Sequence, residues 1–94
     1  MTNHNEYQYS NITGAATTQV ATGKGILHNI TINTVNAAGT IKIIDGTSGT
    51  TANVGTITLA NSNCVTLNYD TYFATGLRIV TSTSPDITIS YVQG

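Results

Sequence analysis

The stretch from Gly25 to Asp45, GILHNITINTVNAAGTIKIID, limits what this chain can fold into more than any other. Ile26, His28, Ile30 and Ile32 alternate with Leu27, Asn29, Thr31 and Asn33. Successive side chains leave a strand on opposite sides, so this period of two marks a strand with one apolar and one wet face. Asn36-Ala37-Ala38-Gly39 then supplies small, turn-tolerant residues. Thr40 to Asp45 restarts the alternation, with Ile41 and Ile43 on one side and Lys42 on the other. The expectation is a hairpin of two strands, with His28 on its apolar face and further strands laid against it.

The rest of the chain repeats the pattern. Residues 1–5 are polar and read as a flexible N-terminal arm, and residues 6–94 as a single β domain. Tyr7 and Tyr9 share a face of a first strand ending near Ile12. A second strand spans Thr17 to Ala21, and Gly23 and Gly25 flank the turn after it. Asp45-Gly46-Thr47-Ser48-Gly49 predicts a tight reversal. Strands follow over Val54–Ala60, Cys64–Tyr69, Leu77–Thr81 and Asp86–Val92, with Asp70-Thr71-Tyr72 as an interruption and Pro85 in a loop. About eight strands at this spacing, with no helical period, predict an antiparallel sandwich or barrel, and the expectation taken is a β-sandwich of jelly-roll-like form. The expected core is Ile30, Ile32, Ile41, Ile43, Ile57, Leu59, Val65, Leu67, Leu77, Ile79, Ile87 and Ile89, with Cys64 as a small filler. That set is thin for 94 residues, so a subunit interface is expected to add stability.

Charge narrows the function classes. Only 7% of the residues are charged and the formal net charge is −1. Without a basic stripe, nucleic-acid binding lacks its main electrostatic term. No apolar run is long enough to cross a bilayer, and residues 1–6 show no signal-peptide pattern, so neither membrane nor export is expected. Thr, Asn, Ser and Gly fill the polar positions instead. Hydroxyls alone can keep a β domain soluble, but a surface so poor in charge also suits a protein largely covered in an assembly.

Chemistry is sparse. A single cysteine excludes an intramolecular disulfide. His28 has no neighbouring ligand cluster in the sequence, and the other imidazole, His4, lies in the arm. Asp45, Asp70 and Asp86 flank strands, where aspartate serves as a turn acceptor, and their spacing gives no acid–base pair. Asp45-Gly46-Thr47 lacks the ligand pattern of a calcium loop, leaving only a weak site of carboxylates and carbonyls as an alternative. Gly23-Lys24-Gly25 is not a phosphate loop. No catalytic residue, cofactor or metal is therefore expected. Tyr7, Tyr9, Tyr69, Tyr72 and Tyr91 are either ordinary sheet tyrosines with wet hydroxyls or a sugar-stacking platform.

Three pieces carry a resemblance: VATGKGILHNITINT from Val20 to Thr34, GTIKIIDGT from Gly39 to Thr47, and YFATGLRIV from Tyr72 to Val80 with the terminal strand Ile87 to Tyr91. In these the chain resembles the small β-sandwich accessory or decoration proteins of tailed bacteriophage virions. The resemblance implies a non-enzymatic virion component, made in the host cytoplasm, that assembles with its own copies, often as a trimer, and with other virion proteins on a head or tail. Tyr7 and Tyr9 would be the oligomer contacts at the base of the arm. The alternative is a carbohydrate- or receptor-binding sandwich of tail-tip or adhesin type, using tyrosines and loop Asn and Asp residues.

Overall fold

In the computed structural model, residues 7–34, 39–59, 64–83 and 85–93 are described. The arm with His4, the turn residues Asn36-Ala37-Ala38 and Asn61-Ser62-Asn63, and Ser84 lie outside them. Eight strands follow one another: β1 Gln8–Thr13, β2 Ala16–Thr22, β3 Gly25–Thr34, β4 Thr40–Asp45, β5 Gly55–Thr58, β6 Thr66–Phe73, β7 Gly76–Thr81 and β8 Asp86–Gln93. They form two antiparallel four-stranded sheets, β1-β8-β3-β6 and β2-β7-β4-β5.

Pairing is nested. β1 pairs β8, β2 pairs β7, β3 pairs β6 and β4 pairs β5. Two further ladders, β3 with β8 and β4 with β7, join these hairpin-like pairs into sheets. This is the strand order of a jelly roll, a long antiparallel ribbon rolled into two facing sheets. β4 and β5 alone are consecutive and paired. The expected hairpin of β3 and β4 is therefore corrected: the chain crosses from one sheet to the other between them. The true hairpin uses the Asp-Gly signal, but over a long loop rather than a tight reversal. Asn53 bridges the base of that loop, accepting from the Asp45 amide at 2.7 Å and donating to the Asp45 carbonyl at 3.1 Å.

The core lies between the inner faces. Ile30, Ile32, Ile41, Ile43, Leu59, Leu77, Ile79, Ile87 and Ile89 are buried as the alternation requires. Ile12, Ala21, Leu27, Phe73 and Tyr91 join them. Ile57 and Leu67 are only half-buried, and Val65 is 42% exposed, so these three are corrected out of the closed core. Cys64 is exposed rather than a filler, and its thiol donates to the Asn33 carbonyl at 3.0 Å. The one buried polar side chain among the described residues, Thr81, is satisfied: its hydroxyl donates to the Gly14 carbonyl at 2.7 Å and accepts from the Ala16 amide at 3.1 Å.

The strict alternation expected for β3 also fails at its first half. β3 has one residue more than β8 between the pairs Leu27–Tyr91 and Ile30–Ile89. A bulge there turns Leu27 inward and leaves Ile26 44% exposed. His28 thus leaves the apolar face on which the simple period placed it.

Candidate functional site

Side chains that point away from the core of the β1-β8-β3-β6 sheet form rows across its strands. Asn11, Thr88, Thr31 and Thr66 make one row, and Tyr9, Ser90, Asn29 and Asn68 the next. Val92, Ile26 and Tyr72 make a third. Tyr7 continues this last row beside Val92, because Gln8 pairs Tyr91. The face therefore grades from hydroxyls and amides at one end to aromatic and aliphatic groups at the other.

The polar end satisfies itself. The Asp86 carboxylate accepts from the side-chain amides of Asn11 at 2.8 Å and Asn33 at 3.2 Å. The hydroxyls of Thr31 and Thr66 meet at 3.1 Å across the β3–β6 pair. Asp86 is thus a network acceptor at the start of β8.

At the aromatic end, His28, Asp70 and Tyr7 come together. His28 Nδ1 lies 2.7 Å from Asp70 Oδ1. The Tyr7 ring stacks on the imidazole with centroids 4.2 Å apart and planes 18° from parallel. The interruption expected at Asp70-Thr71-Tyr72 is corrected: β6 runs through Asp70, which holds φ 48°. Here β6 has one residue more than β3 between the pairs Leu27–Thr71 and Ile30–Leu67. Beside the stack, Lys24, Gly25, Ile26, Tyr72 and Val92 line a groove of ≈ 250 Å³. Of the two expected contact tyrosines, Tyr7 is held by its own chain's His28, and Tyr9 stands 77% exposed on the neighbouring row. Tyr72 is 61% exposed, whereas Tyr91 is buried and Tyr69 half-buried. Among the described residues no three metal-ligating side chains come together.

A second feature lies at the side of the sandwich where β5 and β6 end their sheets. Four of the apolar residues that touch the core without being covered are Val54, Ile57, Leu67 and Tyr69, on or next to these two strands. With Val65 they form an open seam. Neither seam strand carries a lysine or proline, so the edge is guarded only by the shortness of β5 and by Asp70 and its bulge in β6.

Asp45 is a turn acceptor, as its position suggested, but for a turn remote in sequence. Its carboxylate accepts the backbone amides of Ala74 at 2.9 Å, Thr75 at 2.8 Å and Gly76 at 3.3 Å, closing the β6–β7 turn. The Ala74 amide above all, with those of Thr75 and Gly76, holds its pKa below the ordinary carboxylate value. Asp45→Ala is expected to cost about 1–2 kcal/mol at neutral pH, the low part of the range for charged hydrogen bonds because solvent screens the group. A lowered folded-state pKa gives stability that is complete above the unfolded value, about pH 4, and is lost as pH falls through the folded value. Urea midpoints of wild type and variant should therefore differ at neutral pH and converge in acid; a gap that persists in acid would mean the amides do not bind the charged form.

No family model, curated protein or solved structure matches this chain.

Proposed function

We propose that this chain is a non-enzymatic structural subunit of a phage-type virion, a head decoration or head/tail accessory protein, acting by contact between its own copies and with other virion proteins. The observation that carries this reading is the open β5–β6 seam. Ile57, Val65 and Leu67 are apolar by the same alternation that builds the core, yet one copy leaves them partly uncovered. Apolar area left in water forgoes roughly 25 cal/mol per Å² of stabilisation, which a second copy laid along the seam would supply.

A closed ring needs two different patches that meet. The seam lies at the β6 side of the first sheet and Tyr9 at its β1 side, the opposite end of the strand order. Both are free of lysine and arginine, so joining them buries no unpaired cation. Tyr9 is the anchor in this arrangement, and a trimer is the simplest ring expected.

Light scattering after size exclusion tests the proposal. The expected result is a closed oligomer that becomes monomeric in Val65→Asp, with an unchanged circular-dichroism spectrum because Val65 is not part of the closed core. A wild-type monomer at every concentration would overturn it.

A further inference from the structure

The aromatic end of the outer face carries a polar pair and a groove that contact along the seam does not require. Two bulges converge there, one at His28 in β3 and one at Asp70 in β6. Asp70 also holds a left-handed backbone, a strained conformation that few residues besides glycine, asparagine and aspartate adopt. Bulges re-aim side chains, and strain of this kind persists where the surroundings fix it. Their product is a preset polar group on an exposed sheet. An ionised carboxylate only accepts, so His28 Nδ1 donates to Asp70; in the neutral ring Nε2 is then left as an acceptor. The stacked Tyr7 fixes the plane of that ring.

The groove alongside has complementary character. Ile26 and Val92 give it an apolar floor, Tyr72 an aromatic wall and Lys24 a cationic rim. Its ≈ 250 Å³ is of the order of one sugar ring with its hydroxyls. His28 and Asp70 do not line the groove but stand two residues along β3 and β6 from Ile26 and Tyr72, which do; fixed acceptors bordering an aromatic side chain suit a ligand with one C–H face and a rim of hydroxyls. An acyl chain would leave the His28–Asp70 pair without a role. A phosphate would face the Asp70 charge with Lys24 as its sole cation in the groove. We propose that this end of the sheet binds a pyranoside unit of a glycan, its C–H face against Tyr72 and its hydroxyls at His28, Asp70 and Lys24.

Saturation-transfer NMR on the whole protein tests this, with the methyl pyranosides of glucose, galactose, mannose, rhamnose and N-acetylglucosamine as probes, together with a glycan array. Binding of at least one pyranoside or pyranose-containing glycan is expected. It should weaken about tenfold or more in Tyr72→Ala, the loss of one stacking surface. It should also weaken in Asp70→Asn, because asparagine tolerates the left-handed backbone but lacks the charge that orients His28. Both sites are exposed, so a urea midpoint near wild type separates loss of binding from loss of fold. Thr17→Ala, exposed on β2 of the other sheet, should bind as wild type does. No binding by any probe, or binding unchanged in both Tyr72→Ala and Asp70→Asn, overturns the proposal. The groove shares β6 with the seam but includes none of Val54, Ile57, Val65, Leu67 and Tyr69, so glycan binding by a monomer or its absence in a trimer judges the two readings separately.

Discussion

Replacing Phe73 with alanine is expected to lower the stability of the fold by about 3–5 kcal/mol, the cost of deleting a buried aromatic ring and leaving a cavity. Phe73 is 2% exposed and closes the β6 end of the core. Its cross-strand partner is Gly25. A Cβ built on Gly25 would stand 2.6 Å from Phe73 Cζ and would also overlap the Val92 carbonyl oxygen. The ring therefore occupies the space above the glycine, an aromatic covering a residue that cannot pack for itself. Gly25→Ala should cost about 3 kcal/mol, the upper part of the overpacking range, because one of its two clashes is with backbone. The two substitutions should not add. Removing the ring relieves one clash and leaves the other, so the double variant should lose less than the sum of the singles. Urea unfolding of the four proteins measures this coupling; losses that add to within about 0.5 kcal/mol would show that ring and glycine do not share the space.

Legibility from sequence followed the range of the interactions involved. β8 alternates cleanly, and β4 and β7 do so apart from Ile44 and Gly76, which are buried beside Ile43 and Leu77, so Ile41, Ile43, Leu77, Ile79, Ile87 and Ile89 are core residues by sequence and by structure. β3 offers two phases: Ile26, His28, Ile30 and Ile32 in strict alternation, or Leu27 followed by Ile30 across a bulge. Nothing local decides between them, because the bulge is set by register against β8 and β6. Strand pairing is equally non-local. β3 and β4 look like a hairpin because an apolar alternation and a turn signal are all that a hairpin shows in sequence. In a jelly roll the same signals mark a crossing between sheets.

The site was less legible than the fold for the same reason. Tyr7 and His28 lie far apart in the chain, and their stack exists because β8 inserts between β1 and β3. Asp70 read as a break in the strand because aspartate disfavours strands. β6 keeps it by adopting a left-handed backbone and pairing the carboxylate with His28. Ile57, Val65 and Leu67 are the instructive misses. Their pattern is that of core residues and their burial is not, and a mismatch between those two levels is where a function beyond folding is expected. All three fall at one side of the sandwich, which locates the seam without any chemical motif.

Ile79→Ala is the complementary case and is expected to cost about 2–5 kcal/mol. Ile79 is 0% exposed in β7, an inner strand flanked by β2 and β4, and its register partners are Thr18 and Ile43. Ladders on both sides hold the backbone, so the surroundings relax little into the space that three lost carbons would leave, and the cost should fall in the upper half of the range. The loss belongs to a single copy, so it should not depend on protein concentration. Leu67→Ala, in the seam, should behave in the opposite way: a small loss in the dilute monomer, and a larger one at concentrations where copies associate, because binding between copies adds to the apparent stability of the wild type. Urea unfolding of both variants at low and high protein concentration separates the two behaviours. An unchanged midpoint for Ile79→Ala would place that side chain outside the core. A concentration-independent loss for Leu67→Ala would show that the seam is covered by nothing the chain itself provides.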